Sequence, residues 1–229
     1  MGFLTVFKAQ KARKAHQEGR IEEAMKLYQE VLNEGHRDPA VFLPYSVLLI
    51  RNGEYAKARE MLVEYQKLPM NPDQKNQLFV NYAACVYKMG ELQKGIDLLE
   101  RQHQKKPSGM IYETLGYLYI EAGDAEKAMA YNMEAYEYDD EDSITLDNLG
   151  QLYYRLLGDK ETAKGYFKKA LEIKPGQIDT LYFLAQYDLE AGDKEAAAEK
   201  LETALEGRFS PLNYASKEMV QTLLNSLNA

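Results

Sequence analysis

The side chains that could carry catalytic or metal-binding chemistry are few and widely spaced in this sequence. Cys85 is the only cysteine, and the three histidines, His16, His36 and His103, stand far apart without a second ligand nearby. A zinc site needs clustered cysteine, histidine or carboxylate ligands, so we predict no metal and no other cofactor. Phosphate-binding Gly-Lys-Ser/Thr loops, Gly-x-Ser-x-Gly elbows and His-Glu-x-x-His pairs are also absent. We therefore expect a protein that is not an enzyme, with Cys85 serving as a small buried apolar side chain.

The composition of the chain limits the kinds of partner and the cellular compartment that we expect. The 229 residues carry a net charge of −8, which argues against a nucleic-acid binder because such proteins need a basic surface. A single cysteine allows no intramolecular disulfide and fits a reducing compartment. No stretch approaches the roughly 18 apolar residues of a membrane-spanning helix, and the first residues do not fit a secretory signal. These features favour a cytoplasmic protein.

A recurring glycine organises the whole chain. It stands at Gly19, Gly53, Gly90, Gly123, Gly158 and Gly192, with gaps of 34, 37, 33, 35 and 34 residues. A small residue follows five positions after each glycine, and another precedes it by seven positions, or by eight for Gly158. A period of this size indicates stacked supersecondary units that contact mainly their neighbours.

Residues 109–140 show how one unit is built. Apolar residues spaced by three and four around Gly116 predict a first helix. Gly123 is expected to end that helix in the left-handed conformation, and Asp124 to cap the second helix. Small residues at Gly116 and Ala128 let the two backbones approach closely. The unit at 143–175 has one extra residue between Gly150 and Gly158, which predicts a distorted first helix or turn.

These units resemble tetratricopeptide repeats, whose pattern is Leu-Gly, an aromatic, alanines with an aromatic, and then proline. The matching residues are Leu115-Gly116 with Tyr119, Leu149-Gly150 with Tyr153, Ala128 with Ala135, and Ala163 with Phe167, Ala170 and Pro175. The family tryptophan is missing, and polar Asn132 and Asp188 occupy inward positions, where we expect them to be paired or partly exposed.

The resemblance implies an all-α fold, a right-handed superhelical solenoid of antiparallel helix pairs. Six units are expected at about 5–38, 39–75, 76–108, 109–142, 143–177 and 178–207. Residues 208–229 depart from the repeat: Ser210-Pro211 can open a helix, with an apolar stripe from Leu212 to Leu227, and this segment is expected to cap the array. A helix that docks a partner is the alternative.

The resemblance also implies that the first helices line a concave groove that holds a peptide of a partner protein. The groove residues expected on this basis are Val47, Ile50, Asn81, Tyr87, Thr114, Tyr117, Asn148, Gln151, Tyr154, Tyr182, Phe183 and Gln186. Tyrosine supplies rigid contact area with a hydroxyl, and an amide can donate to and accept from a peptide backbone. The alternative is that part of this stripe packs between neighbouring repeats.

Tetratricopeptide co-chaperones grip a C-terminal carboxylate through lysines, an arginine and asparagines on three successive first helices. The corresponding positions here are Leu43, Val47, Asn81 and Met110, or Glu113, Tyr117, Asn148 and Asp179. Neither set contains the required cations. We therefore predict that the protein does not bind chaperone tails.

Two segments have unbalanced charge. Residues 1–17 contain four cations and no acid, next to Phe3, Leu4 and Phe7. We favour a plain first repeat helix there, with contact to an anionic membrane as the alternative. Residues 121–147 contain ten acids and one lysine. They are expected to form a solvated loop, with docking of a basic partner as the alternative.

The function predicted from these features is that of a monomeric, non-enzymatic adaptor that holds a protein or peptide in its groove. One alternative is a repeat protein that self-associates through an exposed terminal helix or the groove. Another is a membrane-tethered assembly factor whose anchor is missing from this chain.

Overall fold

The computed structural model describes residues 3–227, without the side chain of Phe3; the outer ends of the predicted segments 1–17 and 208–229 lie outside the described residues. Across residues 3–227 the secondary structure is helical, without a strand, which confirms the predicted all-α class. The helices are α1 (Phe3–Gln17), α2 (Ile21–Asn33), α3 (Pro39–Arg51), α4 (Tyr55–Tyr65), α5 (Pro72–Lys88), α6 (Leu92–His103), α7 (Gly109–Glu121), α8 (Ala125–Tyr138), α9 (Ser143–Gln151), α10 (Lys160–Ile173), α11 (Ile178–Glu190), α12 (Lys194–Leu205) and α13 (Lys217–Leu227).

Two compact units divide the chain, Met1–Leu99 and Glu100–Ala229. In the first unit α1 packs on α2 and α3 on α4; in the second, α7 packs on α8, α9 on α10 and α11 on α12. Helix pairs therefore recur along the chain, as the resemblance implied. The exact boundaries of the six units stay a prediction.

The turns inside the pairs follow the predicted glycine rule. Gly123 has φ 73°, and the other five glycines of the repeat, Gly19, Gly53, Gly90, Gly158 and Gly192, also have positive φ. Asp124 caps α8, because its side chain accepts a hydrogen bond from the Lys127 amide at 3.0 Å. Local backbone requirements thus set where the helices end and begin.

The small residues on the facing helices of a pair leave room for a side chain of the neighbouring helix. A Cβ atom on Gly116 would lie 2.7 Å from Cγ of Asn132. The Asn132 amide is fully buried and donates to the Ala128 carbonyl at 2.8 Å. Asp188 forms an ion pair with Lys200 at 2.6 Å. Asp188 is therefore paired, as predicted, whereas Asn132 is paired through Nδ2 and its Oδ1 is buried without a hydrogen-bond partner.

The extra residue before Gly158 is accommodated by a π-helical segment, Leu152–Leu157, which continues directly from α9. A π turn takes up one more residue than an α turn. The predicted distortion of this unit is confirmed, and Tyr154 and Arg155 lie within the π-helical segment.

The predicted start of the last helix is wrong. Ser210-Pro211 opens a turn, in which the Asn213 amide donates to the Ser210 carbonyl at 2.9 Å, and α13 begins only at Lys217. Ala215 and Val220 are fully buried in a cluster with Ile178 and Leu181 of α11. The segment 207–216, here called the strap, therefore lies against α11 before α13 begins.

Candidate functional site

The twelve residues predicted to line a groove differ in how much surface they offer. Five are partly buried: Val47, Tyr87, Tyr154, Tyr182 and Gln186. Seven are buried: Ile50, Asn81, Thr114, Tyr117, Asn148, Gln151 and Phe183. The expectation of an outward, exposed position is wrong for these seven side chains, which are buried. Whether any of the twelve binds a partner stays a prediction.

The buried amides already have hydrogen-bond partners. In the first unit Asn81 Nδ2 donates to Ser46 Oγ at 2.8 Å. In the second unit Asn148 Nδ2 donates to the Glu113 carbonyl, also at 2.8 Å. Each bond joins neighbouring first helices. The two asparagines that we expected to hold a peptide backbone therefore hold adjacent repeats together.

In the second unit an aromatic platform remains accessible; we define it as Tyr154, Phe167, Tyr182, Phe183 and Tyr214. Phe167 stacks on Phe183 with centroids 5.0 Å apart and an interplanar angle of 11°, and Phe183 stacks on Tyr214 at 5.1 Å and 25°. The two phenylalanines are buried, whereas the three tyrosines are partly exposed. A stacked, buried base thus holds three tyrosines at the surface.

Asp179 places Tyr214 on this platform. Its buried carboxylate accepts hydrogen bonds from Asn213 Nδ2 at 3.1 Å and from the amides of Tyr214 and Ala215 at 3.0 and 2.9 Å. These three bonds fix the strap against α11. The guanidinium of Arg155 lies 4.1 Å from the centroid of the Tyr214 ring, in cation–π contact on the same tyrosine.

Arg155 is itself held in position. It donates to Glu121 at 2.7 Å and to Gln151 at 3.0 Å. Our sequence prediction omitted Arg155 and Tyr214 from the site, and considered Asp179 only as part of the absent carboxylate clamp. Their contacts with Glu121 and with one another join residues about 35 to 60 positions apart, so helical spacing carries no signal of them.

Three carboxyl groups of this unit, those of Asp147, Asp179 and Glu113, lie where the ionised form is disfavoured. Burial, together with the charge of Asp179, raises the pKa of Asp147 to about 7. Burial also raises the pKa of Asp179. Burial and the nearby Asp142 raise the pKa of Glu113 to about 7. In each of these groups the folded structure therefore favours the neutral carboxylic acid.

Residues 3–227 meet neither the requirements of a metal site nor those of a membrane-spanning helix. Across residues 3–227 no three His, Cys, Asp or Glu side chains come together as metal ligands would. Within the same range, every helix is too short or too polar to cross a bilayer.

Comparison with known proteins identifies the repeat. Profiles of the tetratricopeptide repeat family match residues 15–76, 111–142 and 145–177, which together make up more than half of the chain. No curated protein matches the sequence.

Solved structures resemble the fold. A tetratricopeptide repeat protein of Parabacteroides merdae has a TM-score of 0.79 at 13% identity, over 98% of this chain and 84% of that one. A thermophilic repeat protein of Thermus thermophilus has a TM-score of 0.67 at 18% identity, over 83% and 99%. MamA of Desulfovibrio magneticus has a TM-score of 0.59 at 22% identity, over 77% and 98%. At these identities the likeness shows the fold alone.

Proposed function

This chain belongs to the tetratricopeptide repeat family, and on that premise we propose that it is a non-enzymatic scaffold that binds an extended segment of a partner protein. Repeats of this family are generally protein–protein interaction modules. We place the contact on the aromatic platform of the second unit, with the partly buried Val47 and Tyr87 as a separate contact surface on the first.

The observation that carries the proposal is the platform's combination of exposure and rigidity. Tyr154, Tyr182 and Tyr214 are partly exposed, and beneath them Phe167 and Phe183 are almost fully buried. Aromatic side chains held in place lose little entropy on binding and dominate the energy of many interfaces. A partner side chain laid on these rings would gain apolar contact without having to order the site first.

Among the amide side chains predicted to line the groove, Gln186 is the one best able to form hydrogen bonds with a peptide backbone. It is partly buried, and its two hydrogen bonds, from Tyr154 Oη and to the Tyr182 carbonyl, are both long at 3.4 Å. Bonds of that length are weak, so exchanging them for a ligand costs little. Asn148 and Gln151, in contrast, are buried and tightly bonded at 2.8 Å.

Charge supports a partner segment that carries lysine or arginine. Residues 121–147 have a net charge of −9, and burial together with the nearby Asp142 raises the pKa of the partly buried Glu113. A further cation placed near Glu113 and Asp142 would favour the ionised form of Glu113, as Lys174 already does. Such binding should weaken as salt is added, because exposed charges are screened over about 10 Å at 0.1 M.

Selection from a display library of random peptides tests the proposal. We expect the selected peptides to contain aromatic and basic residues and to bind the Tyr154→Ala/Tyr182→Ala variant at least tenfold more weakly. Tyr136→Ala/Tyr166→Ala is the matched control, since these partly buried tyrosines lie on the second helices α8 and α10. Peptides that bind all three proteins equally would remove the platform from the site.

A further inference from the structure

The first helix of the chain leaves two large apolar side chains uncovered. The face of α1 that packs on α2 carries only alanines, Ala9, Ala12 and Ala15, which are at most 2% exposed. On another face, Leu4 is 75% exposed and Phe7 is 60% exposed. They lie one helical turn apart, so they project together. Helix α1 thus packs on α2 as the first helix of a repeat does, and it leaves these two side chains uncovered.

Lysines continue the same face. Phe7 borders one surface groove with Leu4 and Lys11, and a second with Lys11 and Lys14. The side chains of Lys11 and Lys14 are 55% and 72% exposed. Their ion pairs, to Glu23 at 3.6 Å and to Glu18 at 3.8 Å, are long and contribute little at an exposed site. Both ammonium groups can therefore turn to another anion.

We propose that this face of α1, formed by Leu4, Phe7, Lys11 and Lys14, docks on an anionic lipid bilayer. Leu4 and Phe7 enter the boundary between headgroups and acyl chains, and the two lysines contact lipid phosphates. Interfacial helices also contain both Phe or Leu and Lys or Arg, and their binding adds apolar burial to electrostatic attraction. Each lysine near an anionic leaflet strengthens binding about fivefold.

Charge argues against a second copy of the chain as the occupant of this face. Helix α1 contains Lys8, Lys11, Arg13 and Lys14 and no acid, so two α1 helices packed together would bring like charges into contact. Shape favours lipid over a protein partner. Leu4 and Phe7 protrude near the end of a helix, and a fluid interface accepts protruding side chains without a complementary pocket.

Co-sedimentation of the full chain with vesicles tests the proposal. We expect binding to vesicles of equal parts phosphatidylglycerol and phosphatidylcholine, at least tenfold weaker binding to pure phosphatidylcholine, and a strong loss in about 1 M salt, where the Debye length is about 3 Å. Leu4→Ser/Phe7→Ser should lower binding at least tenfold. Lys11→Gln/Lys14→Gln should lower binding about 25-fold, because each lysine contributes about fivefold.

The control removes exposed apolar side chains elsewhere. Val63 on α4 and Ile173 on α10 are 46% and 47% exposed, so Val63→Ser/Ile173→Ser should bind vesicles as the unmodified chain does. Equal helicity by circular dichroism would show that all variants are folded. No binding to anionic vesicles, or equal binding by the Leu4→Ser/Phe7→Ser variant, would overturn the proposal. A dimer that the same variant abolishes, measured by light scattering, would assign the face to self-association instead.

Discussion

Gly150 should tolerate no side chain, because its place is filled by the ring that supports the aromatic platform. A Cβ atom there would lie 2.5 Å from Cε1 and 2.6 Å from Cδ1 of Phe167. Phe167 cannot easily retreat, since it is fully buried and stacked on Phe183 at 5.0 Å. Gly150→Ala therefore forces an overpacked contact, which typically costs about 1–3 kcal/mol.

Gly165→Ala isolates that cost. Gly165 also lies within a helix, α10, but a Cβ atom on it would meet nothing within 4 Å. Alanine is intrinsically better than glycine in a helix by about 1 kcal/mol. Gly165→Ala should therefore stabilise the protein by up to about 1 kcal/mol. Gly150→Ala has the same propensity gain and the added overpacking, so the two variants should differ by about 1–3 kcal/mol.

Urea unfolding followed by circular dichroism measures this difference. We expect the midpoint of Gly165→Ala to rise relative to the unmodified chain and that of Gly150→Ala to lie below the midpoint of Gly165→Ala. If both midpoints rose by the same amount, the close approach of Gly150 to Phe167 would not exist in solution. The stacked base proposed for the platform would then lose its physical basis.

Three further predictions concern buried groups. Burial raises the pKa of the Cys85 thiol to about 12, so thiol reagents at pH 8 should modify it only after urea is added; rapid native labelling would contradict this. The pKa of Asp147 is raised to about 7, so the stability that Asp147 contributes is full below its ordinary pKa of 3.8 and is lost as pH rises through 7. Asp147→Asn should therefore flatten the fall in unfolding free energy between pH 4 and 8, whereas the exposed control Asp140→Asn should not. An unchanged slope in Asp147→Asn would refute this prediction. Asp179→Ala leaves the amides of Tyr214 and Ala215 without their acceptor, which should cost about 2–4 kcal/mol and speed hydrogen exchange in the strap, whereas unchanged exchange would show that Asp179 does not hold it.

Local features of the fold could be predicted from the sequence. A positive φ at Gly123 and the cap at Asp124 depend on a few neighbouring residues, and the extra residue before Gly158 necessarily disturbed one helix. Features that depend on distant segments could not be predicted in this way. The strap turns at Ser210, and its Tyr214 and Ala215 amides donate hydrogen bonds to Asp179, more than thirty residues away. Helix α13 therefore begins later than the sequence predicted.

Burial along the first helices was the part of the site least accessible to sequence reasoning. Heptad-like spacing shows which side chains share a face, but the packing of one pair on the next decides which of them stay exposed. Tyr117 and Tyr154 are predicted by the same rule, yet Tyr117 is 4% exposed and Tyr154 is partly exposed. The partly exposed Tyr182 is therefore a better position than the buried Tyr117 to change together with Tyr154.

The affinity of a selected peptide, measured by calorimetric titration of equally folded proteins, tests the scaffold function most directly. Our account predicts that Tyr154→Ala/Tyr182→Ala weakens binding by about 2 kcal/mol or more, or about thirtyfold, and that Tyr136→Ala/Tyr166→Ala changes it by less than twofold. Equal affinity for all three proteins, or a loss only in the control variant, would contradict the claim that the aromatic platform binds a partner.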